Sequence, residues 1–163
     1  MTHFEAHFKI MQLKGSLEQV LFKDFLQSYT LPEGLNPTHI MTLMSLMMLA
    51  PIQMSELSKM LNLEKGSFTP VANKLNRMGL IKKNRSELDL RVYELSLTDS
   101  GKEMALSFAN AHMNYTKGLL DKLEDKDAFI NAIAQVTAGL EKLSPSMFSS
   151  FEMKDFPQYP TIS

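Results

Sequence analysis

The chain of 163 residues contains no cysteine. That removes disulfides, thiolate metal sites and thiol redox switches together. No apolar run approaches the roughly 18 residues that a membrane-spanning helix needs. The stretch Met1–Ile10 mixes His, Glu and Lys among its apolar residues, unlike a secretory leader. These absences predict a soluble, cytoplasmic protein with no membrane partner. No Ser-His-Asp order, glycine-rich phosphate loop or carboxylate pair stands out, so no enzyme is expected. His3 and His7 are spaced to share a helix face, and His112 could join them. With no further His or acid cluster to complete coordination, neither a metal nor a cofactor is expected.

What is present is 44% apolar residues, enough for one domain with a sizeable core, and a net charge of only -1. The average hides an asymmetry. Between Glu64 and Arg91 lie seven cations (Lys65, Lys74, Arg77, Lys82, Lys83, Arg85, Arg91) against three acids (Glu64, Glu87, Asp89). One segment is therefore basic on an otherwise acidic chain. This is the footprint of a phosphate-binding surface, although a solvated face would look the same by charge alone.

Apolar spacing from Phe4 to Tyr29 predicts a long helix with two apolar faces, Ile10, Leu13, Leu17, Leu21 and Phe25 on one and Phe4, Phe8 and Met11 on the other. Gly15 inside it marks a bend or a close contact. Asn36 and Pro37 read as the cap and first residue of a second, almost wholly apolar helix that ends before Pro51. "MSELSKMLNL" reads as a short helix capped by Ser55, with Leu57, Met60 and Leu61 inward. "EKGSFTPVANKLNRMGLI" reads as a helix capped by Ser67, with Phe68, Val71, Ala72, Leu75 and Met78 inward and Gly79 as its terminating glycine. Pro70 then falls at the third helical position, where a missing N–H costs no helical bond.

Two short helices joined by a tight turn have the shape of a helix-turn-helix. The outward face of the second carries Ser67, Thr69, Asn73, Lys74 and Arg77, with Pro70 in its first turn, and no acid. Such residues can reach base edges or phosphates. "LIKKNRSELDLRVYELSLT" follows as two strands about a polar turn, with Tyr93, Leu95 and Leu97 on one face. In this order "LSKMLNL", "GSFTPVANKLNRMGLI", the D-x-R pair Asp89 and Arg91, and "LSLTDSG" resemble the MarR family of winged-helix transcriptional regulators.

The resemblance implies a homodimer on double-stranded DNA. The second helix would enter the major groove through Ser67, Thr69, Pro70, Asn73, Lys74 and Arg77. The hairpin, or wing, would contribute Lys83, Arg85, Asp89 and Arg91. In the family the D-x-R arginine, here Arg91, reaches the minor groove, and the aspartate, here Asp89, braces the wing by pairing with cations. The plainer reading is a surface hairpin with a solvated ion pair worth ~0–1 kcal/mol. Members commonly bind small aromatic or lipophilic effectors between the dimer region and the DNA-binding lobe. Met41, Met44, Met47 and Met48 could line such a pocket here, or simply fill a methionine-rich core. Peroxide sensing through cysteine is excluded.

After the wing, a long helix capped by Thr98 or Asp99 carries Met104, Phe108, Ala111, Tyr115, Leu119 and Leu123, and a last one carries Phe129, Ile133, Val136, Leu140 and Leu143. This apolar surface exceeds what a lone winged domain covers, which again predicts a dimer. The expected fold is mainly α with a small β-hairpin wing: dimerisation helix 1–35, winged helix-turn-helix lobe 36–98, C-terminal dimerisation helices 99–143. The tail 144–163, with Phe148, Phe151, Phe156 and Tyr159 among serines and prolines, reads as an extended strap, with a floppy tail or a docking peptide as the alternatives. Two functions stay open: a DNA-binding transcriptional regulator acting on a palindromic operator, most simply a repressor released by an effector, and a winged-helix protein-interaction module.

Overall fold

A computed structural model describes residues 2–64, 66–86, 89 and 91–143. Helix α1 (His3–Leu17) opens on a reciprocal cap: the Glu5 amide donates to Thr2 Oγ1 at 3.2 Å and the Thr2 amide donates to the Glu5 carboxylate at 2.7 Å. The expected single helix is interrupted, but not at Gly15, where an added Cβ would meet nothing within 4 Å. Instead a π-helical turn spans Glu18–Lys23 before α2 (Asp24–Ser28). Donors from a distant helix explain its position. Tyr115 donates its hydroxyl to the Val20 carbonyl at 3.0 Å, and His112 Nε2 lies 2.8 Å from the Leu21 carbonyl. A carbonyl only accepts, so Nε2 carries the proton. Carbonyls held from outside favour a widened turn in place of the regular i→i+4 ladder.

Helix α3 (Pro37–Leu49) is the central element, burying His39, Ile40, Thr42, Leu43 and Leu46. Asn36 caps it as expected, with His39 as the reciprocal partner: the His39 amide donates to Asn36 Oδ1, and the Asn36 amide to His39 Nδ1, both at 3.1 Å. Burial first, and the nearby Lys74 ammonium second, hold the His39 pKa below the ordinary imidazole value. The unfolded chain thus takes up this proton first. Stability is full above about pH 6.5 and falls as pH drops through the lower folded value. Urea midpoints are expected to decline over that window. His39→Gln keeps an acceptor at the third helical position and should flatten the decline; an equally steep decline in the variant would assign the effect to another group.

Strand β1 (Ile52–Gln53) runs straight into α4 (Met54–Met60), so Ser55 lies within the helix and not at its cap. Pairing of Ile52 with Leu95 and Gln53 with Glu94 fixes that start. Leu57 is buried as expected, but Met60 is exposed. Helix α5 (Phe68–Arg77) buries Phe68, Ala72 and Leu75, with Ser67 preceding it and making no side-chain cap bond. Met78 is exposed rather than inward, because it already belongs to the chain reversal at Gly79 (φ +72). Strands β2 (Ile81–Arg85) and β3 (Tyr93–Leu97) complete an antiparallel sheet of order β1-β3-β2. Leu95 and Leu97 point into the core, and Arg85 pairs with Tyr93 at the outer end.

Helix α6 (Asp99–Leu120) is capped by Thr98, whose hydroxyl accepts from the Gly101 amide at 3.0 Å and donates to the Gly79 carbonyl at 2.6 Å. The Thr98 amide donates to the Leu80 carbonyl at 3.1 Å. A Cβ at Gly101 would collide with that same Leu80 carbonyl oxygen, so only glycine permits this approach. Further along α6, Phe108, His112 and Tyr115 surround Phe25 of α2, with ring centroids 4.9–5.4 Å away. Met44 and Met47 of α3 are half-buried against the core, whereas Met41 is exposed. On α7 (Lys126–Leu143), Phe129, Ile130, Val136, Leu140 and Leu143 are exposed, as are Phe4, Phe8, Ile10 and Met11 of α1. The tail 144–163 lies outside the described residues. Among the described residues no helix is long and apolar enough to cross a membrane.

Candidate nucleic-acid interface

Burial of Phe68, Ala72 and Leu75 turns the opposite face of α5 to solvent. Ser67, Thr69, Pro70, Asn73 and Arg77 are all exposed there. Lys74 departs from the expected outward orientation. It is half-buried, and its Nζ would lie 3.4 Å from a Cβ placed on Gly34, so it leans back towards the start of α3. Its charge therefore acts beside His39 as well as at the surface. No Asp or Glu occurs from Gly66 to Ser86, so nothing of opposite sign within this stretch neutralises the face.

The hairpin stands next to this face and is tied to it. Lys83 Nζ donates to Asn73 Oδ1 at 3.2 Å, and the same ammonium sits 4.5 Å from the centroid of the Tyr93 ring. The Arg85 guanidinium lies 5.9 Å from that centroid on the neighbouring strand. Tyr93 was not among the expected site residues. Its signal was available in the alternation that put it in line with Leu95 and Leu97 at the outer end of a half-buried strand. A ring in that place carries cations by its quadrupole.

Asp89 and Arg91 are both exposed on the segment joining β2 to β3. Asp89 does not act there through an ion pair to a cation among the described residues. Its Oδ1 accepts from the Arg91 main-chain amide at 2.9 Å, and its own carbonyl accepts from the Val92 amide at 2.9 Å. A short side chain two residues before a free amide closes an Asx-type turn, which needs no opposite charge. The ion pairs among the described residues, Lys23–Glu18, Lys102–Asp99 and Lys126–Asp121, lie outside the wing. Arg91 borders a cavity of about 580 Å³ together with Thr69, Tyr93 and Met54, so the wing arginine and the first turn of α5 face one space.

Two apolar hollows lie away from this surface. One of about 470 Å³ is lined by Leu46, Met47, Pro51, Leu97 and Leu106 where the lobe meets α6. The other, about 540 Å³, is an almost wholly apolar groove between the α1 segment, α6 and α7, bordered by Leu17, Leu21, Leu120 and Ile133. Among the described residues no group of three or more His, Asp or Glu could hold a metal ion.

Residues 35–93 match the model of the MarR family. No curated protein matches the chain in sequence. Similar solved folds include FabT of Streptococcus pneumoniae in complex with DNA, at 19% identity and TM-score 0.60, covering 87% of this chain and 99% of that one. BldR, a transcriptional regulator of Sulfolobus solfataricus, is similar at 17% identity and TM-score 0.65 over 85% and 99% of the two chains. PcaV, a transcriptional regulator of Streptomyces coelicolor in complex with its natural ligand, is similar at 22% identity and TM-score 0.52 over 86% and 95%.

Proposed function

We propose that this chain, whose residues 35–93 match the MarR-family model, is a MarR-type, non-enzymatic DNA-binding transcriptional regulator that acts as a homodimer on a palindromic operator. The observation that carries the reading is the acid-free face of α5 with exposed Asn73 and Arg77, set beside a wing that carries exposed Arg85 and Arg91. An exposed guanidinium on a wing suits the narrow minor groove, where negative potential is concentrated. FabT, whose fold is similar, is found in complex with DNA. A two-fold protein matches half-sites about 10 base pairs apart, and the exposed apolar faces of α1 and α7 supply the surface for pairing. Repression is the simplest outcome of occupying an operator. PcaV is found with a natural ligand, and the hollows flanking α6 could admit a small apolar or aromatic effector that releases the operator.

Selection from a pool of random duplexes, followed by sequencing and a salt titration of the winner, tests this. The expected result is a palindrome with a steep negative slope of log affinity against log salt. Arg91→Ala is expected to weaken the selected site roughly tenfold and to make the slope shallower by about one, the behaviour of one lost groove cation. No enriched sequence, and equally weak binding by parent and variant at low salt, would turn the reading towards a protein partner for the same surface.

A further inference from the structure

We infer that Lys83 and Asn73 form a single donor-dominated reading unit that selects guanine, so that a wing-strand lysine sets the base preference of the recognition helix. The inference rests on the DNA-binding reading above. Asn73 lies on the exposed face of α5, and its side-chain amide offers an oxygen with two lone pairs and an NH2 with two donors. Lys83 lies on β2, half-buried, with Nζ 3.2 Å from Asn73 Oδ1. An ammonium has donors and no acceptor, so the atom facing it must be the amide oxygen, and the NH2 group is turned away.

The ammonium is held from a second side. It lies 4.5 Å from the Tyr93 ring centroid, and Lys83 and Tyr93 stand on adjacent strands whose register pairs Lys83 with Leu95 and Arg85 with Tyr93. Attraction to the ring fixes a side chain that would otherwise be free to swing. One lone pair of the amide oxygen is thereby engaged by a cation before any DNA arrives.

The consequence follows from the edges of the bases. Bidentate recognition of adenine by asparagine needs the amide oxygen to accept from N6 and the amide nitrogen to donate to N7. With one lone pair of Oδ1 engaged by Lys83 and a cation beside it, the N6 donor of adenine meets a weakened acceptor and a neighbour of like sign, so that pairing is disfavoured. What Asn73 and the remaining ammonium protons present is mainly donors, and guanine answers with two major-groove acceptors, N7 and O6. Lys83 in this scheme both orients the Asn73 amide and adds donors of its own to the base edge; it is not a further phosphate contact.

The test is base selection from random duplexes by the full chain and by N73A, K83M and K83R. Asn73→Ala identifies the symmetric position by relaxing it. The parent is expected to select guanine there. Lys83→Met keeps the aliphatic stem and frees the oxygen, and should shift the guanine-to-adenine ratio at that position by about tenfold or more towards adenine. Lys83→Arg retains donors and should retain guanine. A parent that selects adenine there, a Lys83→Met profile unchanged at that position, or an Asn73→Ala profile relaxed nowhere would each overturn the inference while leaving DNA binding intact. A parent that enriches no sequence would overturn the DNA-binding reading, and the inference with it. Loss of a phosphate contact alone would weaken all sequences alike and leave the preferred base in place.

Discussion

A chain carrying Val136→Glu and Leu140→Glu is expected to sediment as a folded monomer and to lose at least about 100-fold in affinity for a palindromic site. The two positions stand one helical turn apart on α7 and are 42% and 48% exposed, so a single chain tolerates charge there. In the proposed dimer they are covered. Phe129, Ile130 and Leu143 on the same helix, and Phe4, Phe8, Ile10 and Met11 on α1, extend the apolar surface that a second copy would bury. Burying unpaired carboxylates costs several kcal/mol each, enough to dissociate an ordinary dimer. Two linked half-site contacts exceed one by about 10²–10⁴ in affinity, which sets the size of the loss on DNA. Sedimentation and titration of the same preparations decide it. A variant that remains dimeric would move the interface to another face, and one that is monomeric yet binds unchanged would show that pairing is not needed on DNA.

Phe25→Ala is expected to lower unfolding free energy by about 3–5 kcal/mol, the range for emptying a buried phenyl site. Phe25 is 3% exposed. Its ring lies 5.2 Å from Tyr29, 4.9 Å from His112 and 5.4 Å from Phe108, so its loss removes aromatic contacts in three directions. Phe108 and His112, both fixed on the 22-residue α6, cannot collapse into the space. Against a total stability of about 5–15 kcal/mol the variant would sit near its unfolding threshold. Phe25→Leu, which retains most of the volume, is expected to cost under about 2 kcal/mol. Urea denaturation of the three proteins checks the order. A Phe25→Ala midpoint equal to the parent's would show that the N-terminal segment packs elsewhere in solution.

Local rules made much of the architecture legible. Asn36 with Pro37, Pro70 in the first turn of α5, Gly79 after its last, and the alternation through Leu95 and Leu97 each state a backbone requirement within a few residues. The exposed face of α5 followed from its buried one. What did not follow depended on partners far along the chain. Gly15 was the obvious irregularity in the first helix, yet the wide turn forms at Glu18–Lys23 because His112 and Tyr115, about ninety residues later, bond its carbonyls. Ser55 has the chemistry of a cap, but strand pairing of Ile52 and Gln53 with β3 starts the helix ahead of it. Lys74 counts as outward by helical phase, yet its Nζ lies over Gly34. The wing was legible as a charged turn, while the Asx-type bond of Asp89, the Tyr93 ring and the clasp between Lys83 and Asn73 required the strands to be placed beside α5.

The junction at Thr98 joins the end of α5 to the beginning of α6 through the Gly79 and Leu80 carbonyls, with Gly101 pressed against the latter. It works as a welded corner. A helix of 22 residues is a lever about 33 Å long, so a tilt of about 5° given to its far end would swing that end by roughly 3 Å relative to the corner. In a two-fold assembly held by such levers, the gap between two reading heads is a gauge of the angle at which the shafts cross. A small wedge between the shafts would change the gauge without touching the heads.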